Sequence, residues 1–130
     1  MIPSETSTHG VRVRATPAYE SEHSRPDDSQ FIFSYHIQIA NESRKPVQLL
    51  SRHWIIIDAD GHREDVRGPG VVGLTPRIGP GESFEYDSFC PLRTPWGTME
   101  GSYRLALEGG AAFEARIARF VLAAPTQAVK

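Results

Sequence analysis

The chain has 130 residues, a length that fits one domain with a single hydrophobic core. Its 14 Lys and Arg and 16 Asp and Glu residues give a formal net charge of −2, so no positive field favours nucleic acid or an anionic membrane surface. The single cysteine, Cys90, excludes an internal disulfide framework, and the sequence has no signal-peptide pattern and no run of about 20 apolar residues. We therefore expect a cytoplasmic protein without a nucleic-acid or membrane partner.

Alternation of apolar and polar residues predicts seven strands, and no segment has the pattern of an amphipathic helix. The strands cover residues 11–16, 31–39, 47–58, 63–66, 84–89, 103–107 and 113–121. The third of these is apolar on both faces around Trp54, so we expect it to be central in its sheet. Asp60-Gly61 and Gly109-Gly110 predict tight hairpin turns. The pattern predicts an all-β fold, an antiparallel β-sandwich of the immunoglobulin or fibronectin type III kind with seven to eight strands.

The segments outside these strands are interpreted from their composition. Residues 1–8 are polar and predict a flexible N-terminal segment, and residues 124–130 predict a flexible tail. The sandwich domain therefore spans residues 9–123. Charged residues and a proline at residues 20–29 predict a solvated surface loop.

A second irregular loop is predicted at residues 91–101, where proline and glycine interrupt the pattern. Pro95, Trp96 and Met99 lie in it and form a candidate partner-contact loop if their side chains are exposed. The alternative is that Trp96 packs in the core.

Gly68, Gly70 and Gly73 form a G-x-G-x-x-G motif. In dinucleotide-binding folds such glycines begin a helix whose N-terminal amides hold a pyrophosphate. Pro76 and the Gly79-Pro80-Gly81 run prevent that helix here, and an all-β pattern lacks the required crossover.

Two interpretations of the glycine motif remain open. The glycines permit a tight loop with close backbone approach, or they form an anion-binding nest of exposed amides flanked by arginines. The candidate ligand loop consists of Arg67, Gly68, Gly70, Gly73 and Arg77.

Other chemical patterns are weaker. Residues 58–65 resemble half of a calcium loop, but the glycine stands at the fourth position rather than the sixth, which favours a hairpin turn and leaves a weak divalent-ion site as the alternative. His36 and His53 lie on strands that could pair, which leaves a two-histidine metal site as an alternative to two surface residues. Cys90 has no histidine near it in sequence to act as a base. We predict no catalytic residue, no metal site and no cofactor.

Four segments, at residues 54–58, 66–76, 80–86 and 94–103, closely resemble the bacterial ApaG (CorD) family. The resemblance extends from about residue 9 to residue 122 and implies an immunoglobulin- or fibronectin-like sandwich. It also implies links to cobalt tolerance and magnesium efflux, and to genes near a diadenosine tetraphosphate hydrolase. The same domain in eukaryotic F-box and polymerase-interacting proteins implies a protein-interaction module.

The leading functional hypothesis is a non-enzymatic binding domain for an unidentified protein partner, acting as a monomer or a weak homodimer. The alternative is a small-ligand sensor that binds a nucleotide, pyrophosphate or divalent cation through the glycine-rich loop. An enzyme acting on dinucleoside polyphosphates ranks third.

Overall fold

The computed structural model describes residues 1–125, which form nine antiparallel strands in two packed sheets. The strands are β1 Ser4–Thr8, β2 Val11–Tyr19, β3 Phe31–Asn41, β4 Val47–Asp58, β5 Arg63–Pro69, β6 Arg77–Ile78, β7 Ser83–Leu92, β8 Trp96–Leu107 and β9 Ala112–Ala123. The first sheet has the order β1-β2-β3-β7, and the second has the order β5-β4-β8-β9 with β6 paired to the start of β4. This antiparallel β-sandwich confirms the predicted fold class.

All seven predicted strands are present, and β4 is central because it pairs with β5 on one edge and with β8 on the other. Two single-turn 3-10 helices, Ser21–His23 and Pro26–Asp28, lie in the predicted loop between β2 and β3. No helix in residues 1–125 is long and apolar enough to cross a membrane.

The additional strands are β1 and the two-residue β6, which is too short to show a period. Residues 4–8 were expected to be flexible, but they form β1 and pair with β2 from Ser4↔Ala15 to Thr8↔Val11. Backbone hydrogen bonding holds this polar strand, so its composition did not reveal it. Residues 126–130 of the predicted tail lie outside the described residues.

The two sides of the sandwich differ in how their edges are closed. Beside β9, the Ser4 hydroxyl donates to the Ala118 carbonyl at 2.8 Å, and the Thr8 hydroxyl accepts the Arg116 amide at 3.2 Å. These bonds tie β1 of the first sheet to β9 of the second. On the other side, β5 and β7 each have one strand neighbour in the described part of the chain, so both present a free edge.

A β-bulge in β4 decides which of its side chains face the core. Val47 and Leu49 are buried before the register shift, and Trp54 is buried after it, so the inward positions change from odd to even numbers. The bulge therefore also turns the Arg52 side chain towards the interior of the sandwich.

An aromatic cluster joins the two sheets in the core. Trp54 is 2% exposed, and its ring centroid lies 5.2 Å from that of Tyr35, 6.0 Å from that of Phe120 and 6.3 Å from that of Tyr103. Tyr35 comes from the first sheet and the other three from the second. The Tyr103 hydroxyl also hydrogen-bonds to the Tyr86 hydroxyl across the sandwich.

Trp54→Ala is expected to lower the free energy of unfolding by about 3–5 kcal/mol, because it leaves a cavity among these rings. Urea unfolding followed by circular dichroism measures the change. Trp96→Ala, at a ring that is 49% exposed, is the matched control and should cost less than half as much. Equal losses at the two positions would contradict this account of the core.

Candidate functional site

The glycine motif begins inside β5 and ends in a tight turn. Gly68 pairs with Arg52 in the β4–β5 ladder, and β5 ends at Pro69. Val71 and Leu74 then exchange two backbone hydrogen bonds of 2.8 Å each, which close the turn. No helix starts here, so the structure lacks the element that a dinucleotide-binding motif requires.

Each glycine meets a different steric demand. At Gly68 an added Cβ would lie 2.9 Å from Nη2 of Arg52, which passes over the strand. At Gly70, φ is +59° and an added Cβ would collide with the Leu74 carbonyl oxygen. At Gly73 the space is open, but φ is +78°, a conformation that side chains other than glycine rarely adopt. Backbone geometry thus accounts for Gly70 and Gly73, and the Arg52 side chain accounts for Gly68.

The loop offers few amides to an anion. The Gly70 amide donates to the Leu50 carbonyl at 2.8 Å, and the Val71 and Leu74 amides donate to each other's carbonyls. Within the turn from Gly70 to Leu74, the Val72 and Gly73 amides have no acceptor among residues 1–125. Two amides make a much smaller nest than the motif suggested.

The structure does not gather the predicted arginines around the loop. Arg67 is exposed on the outer face of the second sheet, and Arg77 lies 3.9 Å from Glu108. The arginine that does bind the loop is Arg52, whose Nη1 donates to the carbonyls of Pro69 at 2.9 Å and Gly70 at 3.0 Å. Sequence reasoning missed Arg52 because its inward direction depends on the β4 bulge, which has no signal in the residue pattern.

The predicted partner-contact loop is shorter than expected. β7 continues to Leu92 and β8 begins at Trp96, so only residues 93–95 are irregular. Pro95 is exposed and Trp96 is 49% exposed, but Met99 is 1% exposed. Met99 belongs to the core in this structure, and the expectation that it contacts a partner is corrected accordingly.

Trp96 lies instead in a partly apolar surface on the outer face of the second sheet. Thr98 pairs with Ile57 on one side and with Val121 on the other, and Trp96 pairs with Ala123. We call the surface of Ile57, Trp96, Thr98 and Val121 the outer patch. Val121 is 49% exposed, so two large apolar side chains are half open to solvent.

Charged pairs border the outer patch. The Arg119 guanidinium donates from Nε to Glu100 at 2.9 Å, and the Arg63 guanidinium donates from Nε to Asp65 at 2.7 Å. Arg63 first and His53 second hold the pKa of Asp65 far below its usual range, so this carboxylate stays ionised.

The two candidate histidines lie in different sheets, His36 on β3 and His53 on β4, so they do not pair. The His36 ring lies between two carboxylates, with Nε2 at 2.7 Å from Glu85 and Nδ1 at 2.9 Å from Asp87. Hydrogen bonds to Glu85 and then Asp87 raise the pKa of His36. No group of three or more His, Cys, Asp or Glu side chains among residues 1–125 is arranged to hold a metal ion.

Two further sequence patterns have structural explanations. Asp58 Oδ1 accepts the amide hydrogens of Asp60 at 2.9 Å and His62 at 3.0 Å, and Gly61 has φ +82°, as expected for a hairpin. Cys90 is buried, and burial raises the pKa of its thiol to about 12, which disfavours the nucleophilic thiolate.

The sequence model of the ApaG domain family matches residues 21–107, which include the glycine motif and the β4–β8 pair. The chain belongs to the ApaG family. Protein ApaG of Methylobacterium sp. (strain 4-46) is 50% identical over 121 residues, covering 93% of each chain. Protein ApaG of Anaeromyxobacter sp. (strain K) is 51% identical over 118 residues, covering 91% of this chain and 93% of the relative.

A solved structure of a similar protein has the same fold. The crystal structure of the Bordetella pertussis ApaA protein superposes with a TM-score of 0.87 at 46% identity, covering 96% of this chain and all of that one. The resemblance of the four sequence segments to ApaG is therefore confirmed.

Substitutions at the ApaG glycines should differ in cost according to their surroundings. Gly73→Ala is expected to cost roughly 1–2 kcal/mol, from the left-handed conformation alone. Gly70→Ala should cost more, because its Cβ also collides with the Leu74 carbonyl. Urea unfolding of both variants tests the order, and the reverse order would contradict it.

His36→Gln should show a pH-dependent loss of stability. The raised pKa of His36 means that the native state binds the proton more tightly, so the stabilisation is complete below the unfolded pKa of about 6.5 and disappears as pH rises through the folded pKa. The difference in unfolding free energy between the parent and the variant should thus be larger at pH 6 than at pH 9. His62→Gln, whose ring forms no ion pair in residues 1–125, is the control.

Proposed function

We propose that this ApaG domain is a non-enzymatic, cytoplasmic protein-binding domain that contacts its partner through the outer patch. One observation carries the proposal: Trp96 and Val121, each 49% exposed, lie on neighbouring strands of an open sheet face. Tryptophan is enriched among the residues that dominate binding energy at protein interfaces.

The surroundings of the outer patch support a protein partner. An apolar centre bordered by polar groups is the usual anatomy of an interface, and the Glu100–Arg119 and Arg63–Asp65 pairs supply that border. The strands are held by backbone ladders on both sides of β4 and β8, so binding needs little ordering of the patch.

The resemblance to ApaG implies a link to cobalt tolerance and magnesium efflux. This link fits the proposal if the partner of the domain is a protein that binds or transports the metal ion. The metal ion then need not touch this chain.

The second candidate function, a sensor of nucleotide or pyrophosphate at the glycine-rich loop, has weaker support. Within the turn from Gly70 to Leu74, its remaining donors are the two amides of Val72 and Gly73. A divalent cation fits it no better, since the loop contains no carboxylate between Gly68 and Gly73. Calorimetry with pyrophosphate, magnesium and cobalt tests this candidate, and heat of binding that Gly73→Ala removes would favour it.

Trp96→Ala is expected to weaken partner binding by at least tenfold, because truncating a central aromatic residue typically costs 2 kcal/mol or more. A photo-cross-linking amino acid at Thr98 first identifies the partner in lysate, and binding of the purified partner is then measured by calorimetry. Leu74→Ala is the matched control, since Leu74 is 53% exposed but lies in the glycine turn.

A partner that binds Trp96→Ala as tightly as the parent would contradict the proposal. Cross-linking to a second copy of the chain would identify the outer patch as a homodimer interface, and sedimentation velocity of the parent and Trp96→Ala then decides between the two.

A further inference from the structure

A groove of about 1170 Å³ opens between β5 and β7, on the side of the sandwich where both edges are free. Its floor includes Tyr35 and Trp54 of the aromatic cluster, and its rim includes Phe89, which is 61% exposed. This volume exceeds the roughly 300–1,000 Å³ of most small-molecule pockets. The groove is therefore large enough for a segment of polypeptide.

One end of the groove is positively charged. Arg52 lines the wall there, partly buried, with Nη1 held by the Pro69 and Gly70 carbonyls. No carboxylate lies within 4.0 Å of its guanidinium in the described chain. Nε and Nη2 form no hydrogen bond to residues 1–125, so they remain available to an acceptor from outside.

The other end of the groove is mainly acidic. Asp58, Asp60 and Glu64 line it, and none has a cationic side chain within 4.0 Å among residues 1–125. Arg93 and His62 also line this end, but the three carboxylates outnumber these two basic side chains. Asp58 is six residues beyond Arg52 on β4, so the two ends are about 20 Å apart at about 3.3 Å per residue.

The groove also presents backbone hydrogen-bonding groups. Residues 88–92 of β7 all line it, and β7 pairs only with β3 within the described chain. Pro91 has no N–H, but the other outward backbone groups of such an edge are a template for an added strand, a common mode of peptide recognition.

We propose that this groove binds an extended segment of a partner protein that pairs with the free edge of β7. The segment carries an acidic group for Arg52 and, about six residues away, a basic side chain for Asp58, Asp60 and Glu64. This inference extends the proposed function to a second surface, because none of the outer-patch residues lines the groove.

Two labelled peptides test the proposal, each about eight residues long so that it spans about 20 Å. Both peptides have an interior of alternating valine and serine. One begins with a glutamate and ends with two lysines, and the other has these charged residues at the opposite ends. A third peptide has glutamine in place of the charged residues. Fluorescence anisotropy with the full chain measures binding. We expect one charged peptide to bind at least tenfold more tightly than the neutral one.

Three variants of the chain test whether the peptide binds in the groove. Arg52→Gln and the double variant Asp60→Asn/Glu64→Gln should each weaken the preferred peptide at least tenfold. Trp96→Ala should bind it as the parent does, which separates this groove from the outer patch. Arg52 also tethers the glycine turn, so circular dichroism checks that its variant folds. The exposed Asp60 and Glu64 provide a test that does not depend on that tether.

Three outcomes of the peptide experiments would overturn the proposal: neither charged peptide binds better than the neutral one, the acidic double variant binds the preferred peptide unchanged, or inorganic phosphate at equal concentration displaces the peptide. The last result would identify Arg52 as a simple anion site. If the parent dimerises and the acidic double variant does not, the groove binds a second copy of the chain. That result would also overturn the proposal.

Discussion

The single extra residue in β4 organises most of the features described above. The ladder with β8 shifts between Leu49 and Ser51, so Leu50 has no opposite residue. The shift places Trp54 in the core and Arg52 beneath the glycine turn, and the Leu50 carbonyl accepts the Gly70 amide. A regular strand would turn Arg52 and Trp54 outwards, because a one-residue change of register exchanges the two faces. The core, the turn and the groove therefore share one cause.

The glycine motif illustrates how one pattern can satisfy unrelated physical demands. In a dinucleotide-binding fold the glycines let a backbone approach a pyrophosphate. In this chain Gly68 makes room for an arginine, Gly70 for a carbonyl group, and Gly73 adopts a left-handed conformation. In this chain the three glycines together accommodate Arg52 and the turn that it binds, a contact that the motif alone does not reveal.

Period-two alternation was sufficient to predict seven strands, because burial on one face determines those segments, and the turn residues Asp60-Gly61 and Gly109-Gly110 predicted both hairpins. It failed where backbone contacts dominate. Residues 4–8 are polar and are held by their ladder with β2, and Gly97 and Gly101 made the start of β8 resemble a loop. An added Cβ at Gly101 would collide with the His53 carbonyl, so that glycine permits close strand packing. Candidate site residues were harder to predict because the bulge decides the direction of Arg52, and burial decides the role of Met99.

The β1–β9 side of the sandwich is bridged by hydroxyl groups, whereas the β5–β7 side is open. This difference limits how copies of the fold can associate through their edge strands. Among residues 1–125, the Ser4 and Thr8 hydroxyl groups bridge β1 to β9, whereas β5 and β7 on the other side have edges open to strand addition. Because both free edges lie on one side of the sandwich, a second copy that pairs with them covers that side. Edge pairing between native molecules therefore favours a closed dimer over continued growth.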